Sequence, residues 1–188
     1  MREAEFLSQI VRNRANREII ARLPDLALPS VFLVAGCLFQ TIWNIKSGQE
    51  PESGIKDYDI FYFDARDLSW EAEDQAIRRC GDTFRDLGVV VEVRNQARVH
   101  LWYEQHFGVA YPPLESVEEG IDRFLMLCTC VGVCRPGGGA VELYAPNGLE
   151  ELYAGVLRHN PINDQPQLFA AKATSYHSRW PWLTVATD

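Results

Sequence analysis

Hydrophobic residues follow two rhythms along this chain, and their alternation predicts most of its elements. Between residues 2 and 23, Phe6, Leu7, Ile10, Val11, Ile19, Ile20 and Leu23 recur at mostly helical spacing. They predict one helix or two short ones, ended by Leu23-Pro24-Asp25 and by Pro29. Val31 to Ala35 is a continuous apolar run and predicts a short buried strand. Gly36 and Cys37 follow directly, and Leu38, Phe39, Ile42, Trp43 and Ile45 return to helical spacing up to Gly48. A polar loop over 47–56 then delivers the chain to Ile55–Asp64, where two acids run into Ile60, Phe61, Tyr62 and Phe63. This run is too short for an ordinary helix and rich in strand formers, so it predicts a second buried strand.

Ser69 is placed to cap a helix over roughly 70–87, with Trp70, Ile77, Cys80, Phe84 and Leu87 inward and Gly88 at its end. Val89 to Val93 predicts a third strand, interrupted by Glu92. Asn95 caps a short helix reaching Gly108, whose His100 and His106 read as structural. Ser116-Val-Glu-Glu119 matches a capping box. Residues 127–135 and 140–144 predict a hairpin turning at Pro136–Gly139. On that strand Cys128, Cys130 and Cys134 share one face as small core residues, at a spacing unlike that of structural zinc sites. Asn147 to Tyr153 starts another helix, followed by an aromatic tail with Phe169, Tyr176, Trp180 and Trp182. With no repeat or linker in view, residues 1–188 read as one domain, with an N-terminal helical segment over 1–28 and a C-terminal helical tail over 147–188.

Composition narrows the function classes. A length of 188 residues with 47% apolar and 23% charged residues is enough for a substantial core in a soluble protein. The net charge of -8 argues against an extended nucleic-acid-binding face but leaves room for a nucleotide, whose phosphates need only a metal and a few donors. The first twenty residues carry Arg2, Glu3, Glu5, Arg12, Arg14, Arg17 and Glu18, unlike a secretion signal, and no apolar run approaches the roughly 18 residues of a membrane span. An odd count of five cysteines fits reduced thiols, so a cytoplasmic location and no membrane partner are expected.

The candidate chemistry starts at Asp57 and Asp59. Strand alternation puts both on one face, roughly 6–7 Å apart at the Cα atoms. Two unpaired carboxylates there repel, and a divalent cation such as magnesium would remove that cost; the alternative is two solvated acids at a strand entrance. Gly36-Cys37 joins a strand to a helix, so the first helical N–H groups and the helix dipole would suit a phosphate; the alternative is a tight turn with no ligand. Glu92, in its β-branched run, is either a third carboxylate beside the pair or an edge-strand acid facing water.

In this order, the strand with Gly36-Cys37, the helix, Asp57-Tyr-Asp59 and Glu92 resemble the DNA polymerase beta-like nucleotidyltransferase superfamily. The segments Val34–Cys37, Trp43, Lys56–Asp64, Glu92–His100, Ala145–Leu152 and Lys172–Pro181 are more closely similar to a branch of small bacterial nucleotidyltransferase family proteins. The resemblance implies an α/β (α+β) fold with a mixed sheet flanked by helices. It implies a magnesium (or manganese) ion held by Asp57, Asp59 and Glu92, with Glu92 also placed as a base. Backbone N–H groups at Gly36 and Cys37 would hold phosphate oxygens of a nucleoside triphosphate, whose nucleoside monophosphate passes to an unknown acceptor. Two departures stand out: superfamily turns commonly carry serine after the glycine, where Cys37 is a poorer donor, and the stretch between that turn and Asp57 is long. These departures keep open a non-catalytic domain of this fold that binds a nucleotide or a protein partner.

Overall fold

In the computed structural model, which describes residues 2–186, a five-stranded sheet forms around the acidic strand. The strands are β1 (Phe32–Val34), β2 (Asp57–Tyr62), β3 (Val90–Asn95), β4 (Gly132–Cys134) and β5 (Glu142–Tyr144), in the spatial order β3-β2-β1-β4-β5. Only β2 and β3 run parallel; the other neighbours are antiparallel, so the sheet is mixed. The parallel pair is connected by α4 (Trp70–Phe84), as a parallel connection requires. The expected α/β architecture is therefore present.

Strand β2 alternates strictly between half-exposed and buried residues. Tyr58, Ile60 and Tyr62 enter the main core with Leu33 and Val93. Asp57, Asp59 and Phe61 project from the opposite face, which is only partly roofed. There Phe32, Val34 and Cys130 pack with Val117 and Ile121 of α6 (Val117–Asp122). The roof lies so close over β4 that a Cβ at Gly132 would stand 2.7 Å from Ile121 Cδ1. At the Asp57 end the face remains open.

The N-terminal pattern resolves into two helices, α1 (Arg2–Ile10) and α2 (Arg14–Arg22). Buried amides tie α2 to α3 (Gly36–Lys46): Asn13 Nδ2 donates to Thr41 Oγ1 at 3.1 Å and to Tyr58 Oη at 3.2 Å, and Asn16 Nδ2 donates to the Cys37 carbonyl at 2.9 Å. Trp43 of α3 is fully buried and donates to the Leu152 carbonyl of α7 (Glu150–Ala154) at 3.0 Å. Its ring meets Tyr176 and Trp180 edge-on at 5.5 and 5.2 Å, which docks α8 (Pro166–Arg179) beside the sheet edge that carries the acids. Beyond α7, β6 (Val156–Leu157) and β7 (Thr184–Val185) pair in parallel, so the tail holds a small second sheet as well as its helices.

Local signals at element ends were sound. Ser69 accepts from the Ala72 amide at 3.2 Å, Asn95 from Ala97 at 3.1 Å and Ser116 from Glu119 at 3.2 Å. Asn95 caps a 3-10 turn over 96–101 that leads to α5 (Tyr103–Phe107), rather than one continuous helix. Packing overruled two sequence expectations. Trp70 is 57% exposed instead of inward, lying under the Arg98 guanidinium. The hairpin shrinks to Gly132–Tyr144, so Cys128 falls in a 3-10 turn within the main core while Cys130 joins the cluster on the other face. The three cysteines therefore do not share a strand face. Among the described residues no helix is long and apolar enough to cross a membrane.

Candidate active site

The parallel register sets Asp59 of β2 directly beside Glu92 of β3, with Asp57 beside Val90 and Phe61 beside Arg94. Residues side by side in a ladder point to the same face, so Asp57, Asp59 and Glu92 share one surface. In the antiparallel partner, Val34 lies opposite Asp59, which carries the turn at the end of β1 alongside Asp57. The strand–turn–helix and the acid pair thus meet on one sheet edge.

The turn itself is strained. Ala35 caps α3 with φ 58° and ψ -125°, an unusual conformation for a residue with a Cβ. Its amide is pinned to the Val131 carbonyl at 3.1 Å, and its carbonyl accepts from Leu38 at 3.0 Å. The amides of Gly36 and Cys37 have no acceptor within the helix, as for any first turn, and stand at its positive end. Gly36 lines the cleft, whereas the Cys37 thiol is fully buried on the core side and donates to the Val34 carbonyl at 3.5 Å. Burial raises that thiol's pKa well above its ordinary value. Any role of Cys37 at the turn therefore rests on its amide.

The cleft over the acids measures about 260 Å³ and is lined by Gly36, Gln40, Asp57, Asp59, Lys172 and Tyr176, among others. A second cavity of about 340 Å³ shares Asp57 and Lys172 and adds Lys56 and Arg179. Lys172 makes no hydrogen bond or ion pair with the described residues and acts on Asp59 through its charge. Arg179 is held by Gln40 Oε1 at 2.8 Å and the Ser53 carbonyl at 3.2 Å. Lys172, Tyr176 and Arg179 were absent from the sequence-derived site. Their i, i+4, i+7 spacing on α8 marks one helical face and is the signal that could have found them.

Burial is the main reason that the Asp59 carboxyl is pushed up to about 7, with repulsion from Asp57 and Glu92 adding to it and Arg94 and Lys172 opposing. A negative face this poorly compensated suits a hard, oxygen-seeking cation. The fit is partial on the Glu92 side: its carboxylate lies 3.4 Å from an Arg94 nitrogen, and among the described residues no three His, Cys, Asp or Glu side chains are grouped closely enough to hold a metal. Asp57 and Asp59 are the pair placed to take an ion, and Glu92 would have to exchange Arg94 for it.

This imbalance predicts an inverted pH dependence. A carboxyl that stays protonated in the folded chain but ionises normally when unfolded contributes stability that is complete below about pH 4 and is lost as pH rises through about 7. In metal-free buffer Asp59→Asn should therefore be more stable than the parent by roughly 2–4 kcal/mol above pH 7, with the difference vanishing near pH 4. Paired urea titrations across that range measure it; a constant difference would show that Asp59 is not the titrating group.

Two of three comparisons with known proteins find a match. A model of a family described as nucleotidyltransferase matches residues 21–185. One solved structure, titled as an NMR structure revealing a CCA-adding enzyme head domain, superposes with a TM-score of 0.77 at 24% identity, covering 98% of this chain and 96% of that one. At that identity the likeness shows the fold. No curated protein matches the chain.

Proposed function

The chain belongs to the nucleotidyltransferase family, and from that membership we propose that it moves a nucleoside monophosphate from a nucleoside triphosphate to an acceptor, with magnesium or manganese as cofactor. The observation that carries this reading is the placement of Asp57 and Asp59 in one cleft with the Gly36 turn and with Lys172, which is unpaired among the described residues.

The residues divide the work as follows. The amides of Gly36 and Cys37, at the positive end of α3, take phosphate oxygens of the triphosphate. Lys172, with Lys56 and Arg179 in the adjoining cavity, offsets the charge of the departing pyrophosphate. Asp57 and Asp59 would hold the divalent ion, joined by Glu92 once it leaves Arg94. When bound, that ion would supply positive charge to offset the charge that builds on the α-phosphate. Glu92 takes the proton of the acceptor hydroxyl as its oxygen bonds to the α-phosphorus and the bond to the β-phosphate oxygen breaks. Asp59 must be ionised to serve, so protons compete with the ion and its apparent affinity should rise as pH increases toward about 7.

Thermal unfolding with each nucleoside triphosphate, with and without magnesium or manganese, tests the reading. Triphosphate at about 100 times its dissociation constant adds roughly 2.7 kcal/mol, several degrees for a chain of this size. A metal-dependent rise absent from Asp57→Asn is expected; no rise with any triphosphate would remove the nucleotide site. The contact between Glu92 and Arg94 favours a second reading, a domain that binds nucleotide without transferring it. Pyrophosphate release over a panel of acceptors separates the two. In the same assay Lys172→Ala should lower kcat/KM by about 10–100-fold, the loss of one charged donor to phosphate. An unchanged value would move the phosphates away from α8.

A further inference from the structure

A third cavity adjoins the acid face, and we infer that it is the acceptor subsite and takes a nucleotide: a planar ring with a hydrogen-bonding edge, a hydroxyl and a phosphate. The inference rests on the nucleotidyl-transfer reading above. The cavity measures about 220 Å³ and shares Phe124 and Leu125 with the acid cleft. Its floor continues the same sheet surface, since Phe61 and Arg94 are the next outward pair after Asp59 and Glu92, one strand repeat of about 7 Å further along. The Gly36 turn flanks the acids at the Asp57 end and this cavity flanks them at the Phe61 end. In-line displacement needs the nucleophile and the leaving pyrophosphate on opposite sides of the α-phosphorus, which is the arrangement these two sites offer.

Its walls define what it would accept. Tyr103 and Tyr111 pack against each other with ring centroids 4.4 Å apart, and with Trp102 they form an aromatic wall of the cavity against which a planar ring can pack. The Arg123 guanidinium sits 5.3 Å over the Tyr111 ring and has no carboxylate among the described residues, leaving its donors for an anion. Gln96 supplies the independent observation. It is 98% buried, it lines the cavity, and its side-chain amide makes no hydrogen bond to the described residues. Where it lines the cavity, the amide's donor beside its acceptor matches the edge of a nucleobase. Gly120 faces Gln96 where a Cβ would overlap its amide, so α6 approaches as closely as it does only because that residue is glycine. Two arginines, Arg94 and Arg123, and no acid among the described lining residues disfavour a polycationic acceptor.

The test uses nucleoside 5′-monophosphates titrated without metal, read by tryptophan fluorescence and checked by calorimetry. Parallel arms use short oligoribonucleotides ending in the same base. Binding of either probe is expected, and the stronger of the two shows whether the acceptor is a free nucleotide or a chain end. Arg123→Ala and Gln96→Leu should each weaken it at least tenfold while Asp57→Asn leaves it unchanged. The Mg-dependent triphosphate stabilisation should show the reverse pattern, surviving Arg123→Ala and failing in Asp57→Asn. No monophosphate or oligonucleotide binding, or binding lost in Asp57→Asn but kept in folded Arg123→Ala, would overturn the acceptor assignment. Absence of the triphosphate effect would instead overturn the transferase reading on which it rests.

Discussion

Asp57→Asn and Asp59→Asn are each expected to lower nucleotidyl transfer by at least about 10³-fold while leaving a folded and, for Asp59→Asn, more stable protein. The activity loss follows from removing a carboxylate that would hold the cation, where transition-state charge stabilisation amounts to several kcal/mol and each 1.36 kcal/mol is tenfold in rate. The opposite effect on stability has the same origin. Burial and the neighbouring acids oppose the ionised form of Asp59, so an uncharged amide of nearly the same shape relieves the metal-free fold. Single-turnover transfer and urea unfolding on the same preparations check both. A variant that unfolds would make Asp59 a structural acid, and one that keeps full activity would move the chemistry elsewhere.

Glu73→Gln should destabilise the chain by about 3–5 kcal/mol, lowering the melting temperature by roughly 10 °C, although the residue lies outside the cleft. Glu73 of α4 is 2% exposed and forms a buried ion pair with Arg98. Its other oxygen accepts from the Asn95 amide at 2.8 Å, and Arg98 Nε also donates to the Leu68 carbonyl at 3.3 Å. The glutamine leaves the Arg98 charge buried without its counter-ion, which costs more than the pair contributes. Replacing both residues by methionine should recover much of the loss, because a buried pair is often no better than apolar packing of similar volume. Thermal melts of the two variants decide it; a Glu73→Gln change under 1 kcal/mol would show that water reaches the pair. The pair also anchors the start of the 3-10 turn carrying Gln96, so its loss should weaken monophosphate binding as well.

Much of this protein was determined by local sequence. The period-two alternation of Asp57–Tyr62 is enough to put both aspartates on one face, because successive strand side chains must point oppositely. Ser69, Asn95 and Ser116 cap where their side chains can reach a free amide, an interaction within three residues that needs no distant partner. Gly36 at a strand-to-helix junction likewise foretold a turn with outward amides, although the strained residue there is Ala35. Trp70 shows the limit of such reasoning: its helical position predicted burial, but α4 turns Glu73 inward instead, since Arg98 arrives from 25 residues away to pair with it.

What only the tertiary structure decided is the company the acids keep. The β2–β3 register, set by a crossover helix and the pairing of two separate strands, places Glu92 beside Asp59 and at the same time gives it Arg94 as a neighbour. Lys172 and Arg179 reach the cleft from more than a hundred residues downstream because Trp43 and Trp180 lock α8 against α3. The Asp59 pKa near 7 exists nowhere in the sequence, for it is produced by burial and by charges that adjoin only after folding. Periodicity and capping are local and survive in a string of letters. Desolvation and the convergence of charges are properties of the packed volume, and they are what turn two aspartates into a site.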